Sequence, residues 1–510
     1  MALSTIFFYK DTIHGKVKRF MYMRHLQAFV PITQQSRLRT NIYDAFAGPG
    51  RYGENWPDAI EELGSPLIAL RVVIEYFIER KKLEYSFDKI HNVYLDKEKY
   101  KLFVKESQRN VTKKRQKNVT MPDLETAVIL NFSEADEGNY FELFFNVIHV
   151  FKFYGISYKR SYDRCGVITV RSSDTAFPIG CNIALSEFKH TLIPDCGFNS
   201  RYMTFIDPFG FSDIPMSHIQ NFVGQNKEVF ITFMSGFVNR FKNLERNKRI
   251  VMELFGFQDD DDDDDDDDVD DDDDEDDEDN NEYMEDLPLS LSSCSSSWPF
   301  LLSSSSSFGG DDNLVIADDI YQYHELLKVS KETDGVTRCM QLYENQLMKR
   351  ANSDMVLTFE IRNSCNRRIY HLIFITNHQK GLETMKEAMN RGTQSQESFC
   401  LSEYEILRKG IPLSLGNIQN NELLAEAIFK EFQGKENVPI SHIKHFILFD
   451  TPFVFRKKAL KILQKEEDSK ITKVVNENNL PPRRRGSFPD GTDWLLTFRD
   501  RDANDTDTES

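Results

Sequence analysis

The chain has 510 residues, 40% of them hydrophobic and 28% charged, and a formal net charge of −19. That length suits two or three domains, and the lack of any apolar run of about 18 residues excludes a membrane-spanning helix. The acidity is local: 20 of the 21 residues from Asp259 to Asp279 are Asp or Glu, so the rest of the chain stands near neutrality at +1.

Met1–Asp11 shows no basic stretch followed by a long apolar core, so no secretory signal is expected. The seven cysteines form no CxxC pair and no zinc spacing, which predicts reduced thiols, no metal site and an intracellular protein, cytoplasmic or nuclear. Residues 12–31 carry Ile13, Val17, Phe20, Met21, Leu26, Phe29 and Val30 at helical spacing, predicting a helix laid against a sheet. His14 and Lys16 face a cleft or lie on the surface.

Asn41-Ile42-Tyr43 reads as a short strand and is followed by Asp44-Ala45-Phe46-Ala47-Gly48-Pro49-Gly50-Arg51-Tyr52. After Gly64-Ser65-Pro66 an apolar-periodic helix opens at Leu67. Strand, glycine turn and helix begin a doubly wound, Rossmann-like α/β sheet. Glycines there allow a ligand close to the backbone. Pro49 removes a donor, so the loop is no phosphate nest. It suits a ligand without a pyrophosphate, such as S-adenosylmethionine, held against Asp44, Phe46, Gly48 and Gly50.

A second strand, Asn92–Asp96, ends in an acid. Asp96 takes a ribose hydroxyl pair or caps the helix after it. A third strand, Ala127–Leu130, precedes Asn131-Phe132-Ser133-Glu134. Asn131 would read an adenine amino group at this strand end, or the segment starts a helix. Residues 151–200 are read as an insertion or a lid, with no element assigned.

Tyr202–Ile206 is a buried strand ending in Asp207-Pro208-Phe209-Gly210. The proline pushes Asp207 into an extended conformation. At a strand end, Asp207 can accept a hydrogen bond from a substrate while Phe209 stacks a planar group. The group resembles the Asp/Asn-Pro-Pro-aromatic loop of amino-methyltransferases, which hold a flipped base; here one proline is missing. A strand-ending turn is the alternative. Lys227–Met234 is a further strand, and Val356–Ile361 with Arg368–Thr376 form a hairpin ahead of a helix at Leu382–Met389.

The acidic run and the serine-rich Leu289–Ser307 cannot bury enough apolar surface to fold. The expected organisation is a methyltransferase-like domain over 1–257, a disordered insert over 258–312, the rest of that domain over 313–412, a winged helix-turn-helix over 413–500 and a disordered tail over 501–510. The winged helix follows from helices at Leu423–Phe432, Pro439–Phe446 and Phe453–Leu463, then strands at Ile471–Val475 and Trp494–Phe498. Arg456, Lys457, Lys458 and Lys461 near the third helix, with Arg483, Arg484 and Arg485 in the wing, would meet phosphates of DNA or RNA. Docking of a partner protein is the competing use.

Together these residues resemble the three-Cys-motif partner protein family. The resemblance is carried by Asp44–Tyr52, Gly64–Leu70, Phe205–Gly210, Asn377-His378 with Gly381, and Arg484–Gly491, with Gln379 departing from the pattern. It implies an S-adenosylmethionine-dependent methyltransferase with a C-terminal winged helix; the cysteines of the name belong to the family's partner. A non-catalytic adaptor on the same scaffold is the alternative.

Overall fold

The computed structural model describes residues 12–36, 38–52, 63–82, 128–163, 166–188, 200–208, 210–257, 321–327, 334–353, 355–395, 398–410, 419–465, 469–476, 480–482, 488 and 493–500. Asp96, Phe209 and Arg483–Arg485 lie outside them, as do the acidic and serine-rich segments. The chain divides into two units, Met1–Gly256 with Leu326–Ser510, and Phe257–Glu325. In the second, Phe257 and Tyr323 meet edge to face at 6.4 Å.

The first unit opens with helix α1 (Ile13–Gln35), whose start is capped by Thr12 accepting from the Gly15 amide at 3.1 Å. Strand β1 (Arg39–Asp44) and helix α2 (Ser65–Lys82) follow. Then come β2 (Val128–Glu134), α3 (Glu137–Phe153), β3 (Tyr158–Tyr162), β4 (Val167–Ser172), β5 (Ile179–Leu185), β6 (Ser200–Ile206) and β7 (Lys227–Phe233). Helices α4 (Ser235–Phe241), α5 (Lys248–Phe255) and α6 (Gly335–Arg350) lead to the hairpin β8 (Met355–Arg362) and β9 (Arg368–Thr376). Helix α7 (Gln379–Gly392), β10 (Cys400–Ser402) and α8 (Glu403–Lys409) complete this part.

Ten strands form one mixed sheet in the order β10-β8-β9-β7-β6-β1-β2-β5-β4-β3, mostly parallel through its centre. β1 pairs in parallel with β2 on one side and β6 on the other. The chain winds outward from β1 through β2 to β5, then returns to β6 and winds the other way through β7. The order therefore reverses between β1 and β6, where open α/β sheets bind ligands. Five of the six residues of β1 and six of the seven of β7 are buried, as helices on both faces require. Phe230 and Phe233 stand on opposite faces of β7. Phe230 meets Phe205, which stacks on Tyr22 of α1 at 4.6 Å, and Phe233 stacks on Tyr343 of α6 at 3.9 Å.

Two readings of the sequence are corrected here. The range 151–200 contributes strands: β3, β4 and β5 extend the sheet beyond β2. And β2 does not stop at Leu130. Asn131 lies within the strand, in register with Tyr43 and Asn182, and accepts from the Asn182 amide nitrogen at 2.8 Å. It is therefore not a strand-end reader; the strand-end acid is Glu134.

The C-terminal segment has α9 (Asn421–Phe432), β11 (Val438–Pro439), α10 (Ile440–Asp450), α11 (Lys457–Lys465), β12 (Ile471–Val475) and β13 (Leu495–Phe498). Its three strands pair antiparallel in the order β11-β13-β12 over a core of Leu424, Ile428, Ile443, Leu460, Leu463 and Leu496. Residues 453–456 precede the third helix rather than belonging to it.

This segment is pinned to α7. The buried Lys386 ammonium donates to the carbonyls of Leu448, at 2.7 Å, and Ile447 in the last turn of α10. Burial lowers Lys386 to about 7, with Asp450 opposing the drop. Folded Lys386 thus sheds its proton between pH 7 and 10.5 while the unfolded chain keeps it, so this contribution to stability grows across that window. Lys386→Met should orphan both carbonyls and cost about 1–3 kcal/mol. It should also remove the alkaline gain, which urea titrations at pH 7 and pH 9 check. No helix of the described residues is long and apolar enough to cross a membrane.

Candidate functional site

β1 ends in Asp44, and the register aligns Asp44 with Phe205, two residues before Asp207. Asp44 and Asp207 therefore stand at the same edge of neighbouring parallel strands, on either side of the reversal point. Beyond β1 the chain makes the Gly-Pro-Gly turn, with Gly48 at φ +55° and Gly50 at φ +81°. Such left-handed angles are strained for side chains with a Cβ.

The turn is tied down on every side. The Ala45 amide donates to the Phe205 carbonyl and the Ala47 amide to the Ser133 carbonyl, both at 3.0 Å. The Gly48 amide donates to Glu134 Oε2 at 2.6 Å, and the Asp136 amide to Glu134 Oε1 at 2.9 Å. Asn146 of α3 donates to the Pro49 carbonyl at 2.8 Å. Gly64 donates to the Gly50 carbonyl at 2.7 Å and starts α2. Glu134 thus links the end of β2 to the turn. Burial raises its pKa, with the two amide donors opposing the rise.

Asp44 is fully buried. Its Oδ1 accepts the Phe46 amide at 3.3 Å, while its Oδ2 has no hydrogen-bond partner. Desolvation pushes Asp44 up to about 7; the Ser65 side chain opposes this, and the charges of Asp207 and Glu134 add to it. A buried carboxylate oxygen without a partner is costly unless something supplies a donor or a positive charge. Tyr22 of α1 lies within the field of Asp44, and its hydroxyl is likewise buried and unpartnered. Phe46 stands beside Phe188 at 5.5 Å, which stacks on Phe222 and meets His218 edge to face.

Asp207 is clamped by Lys18, whose Nζ reaches Oδ1 at 2.7 Å and Oδ2 at 2.5 Å. Tyr52 lies alongside, under the Arg19 guanidinium at 4.3 Å from its ring. Burial pushes the Tyr52 phenol up to about 12, with Asp207 adding to it, so the phenol keeps its proton at neutral pH. Tyr370 of β9 is buried, feels Asp207, and has an unpartnered hydroxyl. Pro208 is buried and Gly210 half-buried.

Of the helix stripe that builds this wall, only His14 was singled out in the sequence; Lys18 and Tyr22 were not. His14, Lys18 and Tyr22 recur every four residues and so share one face of α1. His14 Nδ1 meets Glu403 at 2.8 Å, and its ring contacts Tyr370 edge to face. Polar residues at i, i+4 and i+8 among buried neighbours were the available signal. The cations of the third helix divide: Lys458 and Lys461 are exposed, three apart on α11. Arg456 instead turns to Glu387 of α7 at 2.5 Å, which corrects its placement on a free basic face.

Comparison with protein-family models, curated proteins and solved structures gave no match to this chain.

Proposed function

We propose that this protein binds S-adenosylmethionine at the end of β1 and transfers its methyl group to a nucleic acid. The observation that carries the reading is Asp44 Oδ2, buried and unpartnered beneath a turn with two positive-φ glycines. The donor set fits a ligand with an ammonium group. A cation beside Asp44 favours its ionised form and offsets the burial that raises its pKa to about 7. A dinucleotide fits less well, because Pro49 has no amide hydrogen and the Gly48 amide is already spent on Glu134.

The strand order, reversing between β1 and β6 with the antiparallel β9 beside β7, supports a Rossmann-like methyltransferase scaffold. Three helices over the β11-β13-β12 sheet support a winged helix-turn-helix. Both agree with the resemblance to three-Cys-motif partner proteins. When bound, the cofactor supplies an electrophilic methyl group. Asp44 would hold its amino group, and Glu134 at the end of β2, or Asp96 outside the described residues, would face its ribose. Asp207, oriented by Lys18, would take a substrate N–H on its remaining lone pairs, with the Tyr52 and Tyr370 phenols as neighbouring donors. Lys458 and Lys461 would meet phosphates.

Labelled cofactor incubated with total RNA, DNA and protein tests this. The wild type should label a nucleic acid, and Asp207→Ala should lower the rate by about 100-fold or more. Label in protein alone would refute the substrate class. A second reading, a cofactor-binding adaptor without catalysis, is favoured by the Lys18 ammonium holding both Asp207 oxygens. It predicts ligand binding with no label in any of the three pools. A partner protein on the winged helix belongs to that reading.

A further inference from the structure

A cavity of about 480 Å³ opens where β7 gives way to α4 and β9 begins. Gly236, Asn239 and Arg240 line it from α4, and Asn363, Arg367 and Arg368 from the β8–β9 turn and the first residue of β9. Asp334, the cap of α6, also faces it. Its charges are not balanced. Arg368 is held by Asp334 at 2.6 Å and by Glu360 at 2.5 Å. Against desolvation, the Thr337 hydrogen bonds and then Arg368 hold Asp334 down to about 2. That acid is therefore neutralised within the fold. Among the described residues Arg240 lies over the rings of Phe237 and Phe241, and both Arg240 and Arg367 are exposed. Neither has a carboxylate partner among the described residues. Asn239 and Asn363 add polar side chains, although Asn363 Oδ1 already accepts the Cys365 and Arg367 amides.

The location matters as much as the charge. β7 lies next to β6, and β9 next to β7, so the cavity sits at the same sheet edge as Asp207. Two strand spacings separate the β6 and β9 axes, about 10 Å. If a strand of nucleic acid presents a base to Asp207, this cavity lies within reach of its backbone.

We propose that this cavity binds a backbone phosphate of the nucleic-acid substrate, with Arg240 and Arg367 as its ligands. The inference rests on the reading that the Asp207 edge receives nucleic acid. Guanidinium groups suit phosphate through forked, charge-assisted hydrogen bonds.

Fluorescence anisotropy of labelled mixed-sequence single-stranded RNA and of duplex DNA, each titrated across a salt series, tests it. The full-length wild type is compared with Arg240→Ala/Arg367→Ala and with Lys at both positions. Both side chains are exposed, and a thermal melt confirms that the variants fold. Loss of one phosphate contact lowers the slope of log K against log salt by about 0.7 on single strands and about 0.9 on duplex. The double Ala variant should lose about one such step, and the Lys variant should recover it. If the wild type binds and the double Ala variant keeps the same slope, the cavity is overturned as a phosphate site. If the wild type binds neither nucleic acid at low salt, the cavity proposal falls together with the nucleic-acid substrate. S-Adenosylhomocysteine binding in the same preparation then reports whether the cofactor reading stands.

Discussion

Asp44→Asn is expected to stabilise the protein without ligand at pH 8 and to leave it little changed at pH 4. Asp44 is buried with one unpartnered oxygen, and its pKa rises from 3.8 to about 7 on folding. Between those values the folded chain holds a proton that the unfolded chain has released. The Asp44 contribution to stability therefore falls as pH climbs from 4 to 7 and stays low above it. The full shift corresponds to about 4 kcal/mol, an upper bound reached only at alkaline pH. Asparagine keeps the Oδ1 that accepts the Phe46 amide and removes the charge. Glu134 titrates in the same direction, so the wild type and the variant are compared at each pH. The transition midpoint in urea at pH 4, 6 and 8 is the readout. Equal midpoints at pH 8 would mean that Asp44 is not strained by burial. Lost ligand binding and gained stability in one substitution is the signature of a binding residue held at a cost.

The second large effect is expected at the closure of the turn. A Cβ on Gly64 would lie 2.8 Å from the Gly50 carbonyl carbon and 2.9 Å from its oxygen. These are backbone atoms already fixed by the Gly64–Gly50 hydrogen bond, so no side chain can swing aside. Gly64→Ala should destabilise by about 1–3 kcal/mol through overpacking, and should weaken ligand binding because Gly50 must move. Gly50→Ala should act likewise, through its positive φ and a Cβ 2.9 Å from Leu143 Cδ1. Gly410 also has a positive φ, at +67°, but a Cβ there has open space. Gly410→Ala is the control: it should cost about 1–2 kcal/mol from backbone strain alone and leave ligand affinity untouched. Equal effects on affinity at Gly64 and Gly410 would refute the role given to the turn.

What the sequence revealed and what it hid follow from the range of the interactions. The strand, Gly-Pro-Gly turn and helix at Asn41–Leu70 are local, and so are the acid-ended β6 and the β8–β9 hairpin. They were legible. Strands β3–β5 were not, because β3 is an exposed edge with the polar run Lys159-Arg160-Ser161, which carries no apolar alternation. β2 was cut short for a related reason. Asn131 and Ser133 look like a strand end, but Asn182 and Tyr43 satisfy them from 51 and 90 residues away. Glu134 was therefore missed as the strand-end acid. Lys18 was missed because its partner, Asp207, is 189 residues distant. Among the cations, Arg456 was assigned by its neighbours in sequence, whereas Glu387 of α7 determines where it points.

On the proposed reading, the end of β1 holds a cofactor by its amino group through Asp44. Isothermal titration with S-adenosylhomocysteine at pH 8 tests it most directly, with NAD in a parallel cell. The wild type should give saturable heat for one site per chain and none for NAD, and Asp44→Asn should bind about 10- to 100-fold more weakly, the value of a hydrogen bond to a charged group. No heat from the folded wild type, or the same affinity in Asp44→Asn, would contradict it.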